Sequence, residues 1–137
     1  MNSELLTKFN YSMKNKIFMG VRILFAIMMI NSGLNKFFNF MPMPEMAEAA
    51  GNLMGAFFAS GYIFPLVAIV EILAGALIFT KKFNALGAVL MMPITVNIFL
   101  MHTVLDPAGF IVGLVLLLIN LWILIENKEK FMPLLNK

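Results

Sequence analysis

Four apolar runs, at about residues 17–38, 61–80, 85–105 and 107–125, occupy most of this 137-residue chain. Each is close to the roughly 20 residues that an α-helix needs to cross a bilayer. A lipid-exposed backbone has no water to bond to, so runs of this length are read as helices whose hydrogen bonds are all internal. The composition agrees, with 61% hydrophobic and 12% charged residues, about half the charged share of soluble domains. The expected fold is all-α: an integral membrane four-helix bundle forming a single membrane domain over residues 1–137. The first run is longer than the apolar core of a secretory signal, and no small-residue cleavage pattern follows it, so it is expected to stay attached as a span.

Basic residues orient the spans. Lys8, Lys14, Lys16 and Arg22 stand at the start of the first run, Lys81 and Lys82 between the second and third, and Lys128, Lys130 and Lys137 after the fourth; only Lys36 falls on the other side. The positive-inside rule then puts both termini in the cytoplasm and the loops after the first and third spans outside. The outer segment 39–60 has a helical pattern of its own. Pro44 suits a first helical position, with Glu45 and Glu48 in the first turn. Met46, Ala50, Leu53, Met54, Phe57 and Phe58 line one face. This spacing predicts a short amphipathic helix over about 44–59, serving as a connector at the outer interface or as a lid over a pocket beneath it.

Ionisable side chains inside a span cost roughly 3 kcal/mol or more against lipid, so they turn inward, pair or line a wet cavity. Arg22 and Glu71 lie at depths differing by roughly 8 Å at 1.5 Å per residue, a gap an arginine can bridge, and an Arg22–Glu71 ion pair is expected. It would fix helix register or serve a ligand or proton. Small residues near both, among them Gly33 and Gly75, suit close helix approach. The outer half holds a second polar group: Asn31, Asn35 and Lys36, then Asn97 and His102 beyond a proline kink at Pro93, with Asp106 at the rim. Asp106 before Pro107 has the pattern of an N-cap. Bend and polar lining together suggest a cavity open to the outside, with interhelical hydrogen bonding as the alternative for the asparagines.

Zero cysteines remove disulfides, thiolate nucleophiles and Fe–S ligation, and a single histidine leaves no self-sufficient metal site. No phosphate loop and no nucleophile–base arrangement occurs, so whether the chain catalyses anything stays open. Gly109 and Gly113 form a small-xxx-small pattern that serves either a homodimer or packing within the chain. The methionines are read as filler, with Met41, Met43 and Met46 a weak copper-relay pattern.

Three elements in this order resemble the DoxX family of small bacterial four-helix membrane proteins: Arg22 to Gly33 to Lys36, the Phe64–Pro65 stretch leading to Glu71 and Gly75, and Asn97 with His102 running into Asp106-Pro107. The resemblance implies an inner-membrane location and association with membrane redox systems. DoxD-like relatives resemble subunits of a thiosulfate:quinone oxidoreductase, some DoxX proteins are linked to oxidative-stress complexes with soluble partners, and others in the wider superfamily act as chaperones or cargo receptors. Carried over residue by residue, it directs attention to Arg22, Lys36, Glu71, Asn97, His102 and Asp106. The cysteines of redox-active relatives are missing here.

The expected function is therefore that of an accessory subunit binding a small amphipathic molecule such as a quinone in an outward-facing intramembrane pocket, the quinone being the one cofactor suggested. The alternative is an interaction or assembly protein acting through the outer helix and a dimer face. Expected partners are membrane lipid and a second copy or a soluble redox protein, with no nucleic acid.

Overall fold

The computed structural model describes residues 2–136, which form an all-α membrane helical bundle with no strand among them. Its elements are α1 (Ser3–Phe38), α2 (Glu48–Ala59), α3 (Ile63–Phe79), α4 (Asn84–Leu100), α5 (Phe110–Glu126) and α6 (Lys128–Leu135). One π-helical turn (Met101–Leu105) and one 3-10 turn (Pro107–Gly109) join α4 to α5. Three helical stretches are long and apolar enough to cross a membrane on their own: α1, α4 with its π turn, and the 3-10 turn with α5. The 17-residue α3 reaches that length only together with α2, from which it is bent by 93°. The chain is thus a multi-pass membrane protein.

Neighbouring helices run antiparallel, and glycines set how they meet. A Cβ on Gly33 would overlap Ile72 and the carbonyl of Ala68, one on Gly75 would overlap Ile30, and one on Gly87 would overlap Ile78 and the carbonyl of Ala74. Bare backbone at these positions lets α1 and α4 lie close against α3, the way membrane helices pack when burial from water supplies no driving force. The core between them holds Phe25, Met29, Ile78, Met91 and Ile123. Asn120 and Thr95 meet inside it at 2.8 Å; with the Asn120 carbonyl accepting from the Thr95 hydroxyl, its amide donates to the carbonyl of Ala88. Asn120 thus hydrogen-bonds from α5 to α4. The basic end is tied by the Lys14–Glu126 pair at 3.0 Å and by Trp122 edge-on to Phe18.

Two local starts differ from expectation. The segment 42–47 is non-helical and α2 begins at Glu48, four residues beyond Pro44. Pro42 and Pro44 bias Met41 and Met43 to extended backbone, and the helix starts where Asp106 Oδ1 accepts the Ala47 N–H. Asn31 and Asn35 do not bridge helices: Asn35 Oδ1 accepts the Met41 N–H at 2.8 Å, and Asn31 donates to the Met41 sulfur. Together they fold the chain back where α1 ends at Asn39, a residue in the left-handed region. The sharp turn from α2 to α3 passes through Gly61 at φ +78°, a conformation that side chains disfavour.

Candidate functional site

Lys36 and Glu71 form the charged centre of the end opposite the basic one. Lys36 Nζ stands 2.8 Å from Glu71 Oε2, with the two side chains 18% and 2% exposed. Ser32, one turn before Lys36 on the same face, completes the group: its hydroxyl accepts from Lys36 Nζ at 3.0 Å and donates to Glu71 Oε1 at 3.4 Å. Gly33 makes this possible, because its missing side chain lets α1 come down beside the Glu71 Cβ.

The expected Arg22–Glu71 pair does not exist. Arg22 is buried at the other end, where Nη1 donates to the carbonyls of Ile78, Phe79 (2.7 Å) and Thr80 (3.1 Å). Those carbonyls close α3 and lack intrahelical donors, so a cation there satisfies both the bonds and the negative end of the helix dipole. The glycine contacts explain the outcome. With Gly33 level with Ala68 and Ala26 level with Gly75, Arg22 falls level with Phe79, roughly 12 Å from Glu71 at 1.5 Å per residue.

The Lys36–Glu71 pair lies on the wall of a cavity of about 460 Å³ between α1, α3, α4 and α5. Its polar groups are Ser32, Lys36, Glu71, Asn97 and His102, and the rest is apolar: Phe64, Val67, Ile94 and Leu116 from the spanning helices, with Met54 and Phe57 from α2. Helix α2 therefore walls the cavity rather than standing apart. Pro93 lies in α4 and also lines the cavity. The π-helical turn that follows carries His102. Such turns often occur at functional sites.

Asp106 stands behind His102 and joins two elements. Its Oδ1 accepts the N–H of Ala47, the residue that opens α2, at 3.2 Å, while Oδ2 lies 3.4 Å from His102 Nδ1. The expected N-cap role is corrected: Asp106 makes no side-chain bond to the turn that follows it and caps α2 instead. The His102 ring lies so close to Gly109 that any Cβ there would overlap it, and Gly113 packs on the backbone of Phe99 and Ile98. The glycine pair thus faces inward and packs the chain against itself.

Of the six residues singled out in the sequence, Lys36, Glu71, Asn97 and His102 share the cavity, Asp106 supports it from behind, and Arg22 is elsewhere. Ser32 was missed, although its spacing of four from Lys36 places both on one helix face. Met54 and Phe57 share the apolar face of α2 that the spacing marks, and both line the cavity.

The DoxX family model matches residues 17–103. The chain is also 34% identical over 93 residues to the uncharacterized protein YwoB of Bacillus subtilis (strain 168). The match takes in 65% of this chain and 60% of that relative, so the chain spans less than two thirds of its length. No solved structure matches. The family match covers well over half of the chain, including Arg22, Lys36, Glu71, Asn97 and His102, and the chain belongs to the DoxX family.

Proposed function

We propose that this protein holds a quinone-like amphipathic molecule in the cavity between α1, α3, α4 and α5, as an accessory component of a membrane redox system. The observation that carries the reading is a paired, nearly sealed Lys36–Glu71 centre on the wall of an otherwise apolar cavity. Intramembrane charges of this kind mark ligand or ion sites more often than they mark packing. The cavity volume lies in the range of small-molecule pockets, which pair apolar walls with a few fixed polar groups. A quinone ring and tail suit Phe64, Val67, Ile94 and Leu116, and its two oxygens require only donors. Lys36, Asn97 and His102 can each supply one. The place in a redox system rests on the family resemblance; the chain has no cysteine to carry electrons itself. In this reading the membrane is the bacterial inner membrane and the cavity opens outward, as the basic residues suggest.

The test compares the wild type with the double variant Lys36→Met/Glu71→Leu, purified in mild detergent and extracted for quinones alongside native mass spectrometry. The expected result is a retained molecule of quinone mass in the wild type that is lost in a folded double variant. Equal retention in both, or none in the wild type after reconstitution with ubiquinone or menaquinone, overturns the reading. A second reading, assembly through α2, draws on Phe58, which is 72% exposed. It requires that Phe58→Ser abolish a co-purifying partner or a second copy while quinone retention is untouched.

A further inference from the structure

A second cleft, of about 380 Å³, lies at the basic end, where Lys16, Arg22, Lys81 and Asn84 meet beside Phe18 and Met19. We propose that this cleft binds the headgroup of an anionic phospholipid that carries a free hydroxyl beside its phosphate, a phosphoglycerol headgroup.

Charge is the first argument. Among the described residues, three cations border the cleft and no carboxylate does. Arg22 spends only Nη1 on the α3 carbonyls. None of its other N–H groups donates to a protein group among the described residues, which leaves part of the guanidinium for an anion. Lys16 and Lys81 are exposed and free to close on a phosphate from either side.

Asn84 supplies the second, independent argument. Asn84 is 6% exposed and lines the cleft, and its Oδ1 is buried with no hydrogen-bond partner among the described residues. A buried carbonyl oxygen without a donor is costly and rare. A phosphate alone cannot satisfy it, since a phosphodiester brings acceptors only, whereas a hydroxyl on the same headgroup can donate while the phosphate meets the lysines. A choline headgroup has no donor to offer, and an ethanolamine headgroup would add a fourth cation to three.

Position favours a lipid over a soluble phosphate ester. Lys16 immediately precedes the apolar part of α1, and Ile17, Met19 and Leu24 just beyond it are 53%, 40% and 60% exposed. An acyl chain descending from the cleft meets an apolar helix face at once. Basic pockets between helix ends are the usual form of such headgroup sites.

The experiment titrates the full, delipidated chain in neutral detergent with phosphatidylglycerol, phosphatidylmethanol and phosphatidylcholine of one acyl composition, and counts bound lipid by native mass spectrometry. Phosphatidylmethanol keeps the charge and removes the hydroxyl. Wild type is expected to prefer phosphatidylglycerol over both. In Lys16→Gln/Lys81→Gln its affinity should fall about thirty-fold, whereas Lys128→Gln/Lys130→Gln, equally charged but outside the cleft, should leave it unchanged. Asn84→Leu should erase the preference over phosphatidylmethanol. Equal loss in the two lysine pairs, or equal binding of the two anionic lipids by wild type, overturns the proposal. Displacement of the lipid by equimolar glycerol 3-phosphate would overturn the lipid source in favour of a soluble ester.

Discussion

At the residue scale, the partner of Glu71 decides how substitutions behave. Removing one member of a buried ion pair strands the other charge, whereas replacing both with apolar groups of similar size is often neutral or better. Lys36→Met alone is therefore expected to destabilise by about 3–5 kcal/mol, and Lys36→Met/Glu71→Leu to recover most of that loss, as read from thermal unfolding in detergent. A double variant no more stable than the single would show that Lys36 and Glu71 are not coupled. Arg22→Met should lower stability through the carbonyls of Ile78, Phe79 and Thr80 that lose their donor, with no dependence on whether Glu71 is present. That these charges sit inside spans and must find partners was legible in the sequence. Which partner each finds was not, because it follows from the register of α1 on α3. Gly33 and Gly75 fix that register by contacts that the residue types suggest but do not align.

At the element scale, α2 is joined to the site through one carboxylate. Asp106 holds the first N–H of α2 and stands beside His102, so the lid and the cavity wall share an anchor. Asp106→Ala is expected to cost about 1 kcal/mol, in the range for losing a helix cap. Amide exchange at residues 47–50 should rise with it, while exchange in α4 and α5 away from the π turn stays as in wild type. Asp106→Asn keeps an acceptor for Ala47 and should restore most of the protection. A second prediction concerns the junction of the π turn with α5. Gly109→Ala forces the His102 ring to move and is expected to cost about 1–3 kcal/mol, the range of overpacking. Because the two residues touch, Gly109→Ala/His102→Ala should lose less than the sum of the single changes; strict additivity would show that the ring is not what the methyl meets. The apolar face of α2 was readable from its spacing. The start of α2 was not, since Pro44 matches a first helical position locally while Asp106, distant in sequence, caps the helix at Ala47.

At the scale of the whole molecule, the two clefts lie at opposite ends, and their sidedness follows from the lysines. The cavity lies at the end with Lys36 alone, and the headgroup cleft lies among Lys16, Lys81 and the other basic residues. In the proposed orientation this bias directs the basic end to the cytoplasm, and the cavity would then open to the other side, with α2 first in the path of a ligand from the outer leaflet. Helix α1 bears on the same question, because its 36 residues extend about 54 Å, well beyond a hydrocarbon core of about 30 Å. Its excess length lies on the basic side, where Leu5 and Phe9 are exposed beside Lys8 and Lys14, a mixture that suits the membrane interface better than the lipid core. The native chain has no cysteine, which makes the orientation directly testable with single exposed replacements at each end. Ser60→Cys in the α2–α3 turn should react with a membrane-impermeant maleimide in intact spheroplasts, and Lys128→Cys after α5 only once the membrane is opened. The reverse pattern would turn the cavity toward the cytoplasm, and a membrane-dissolved ligand would then have to enter it from the inner leaflet instead of the outer one.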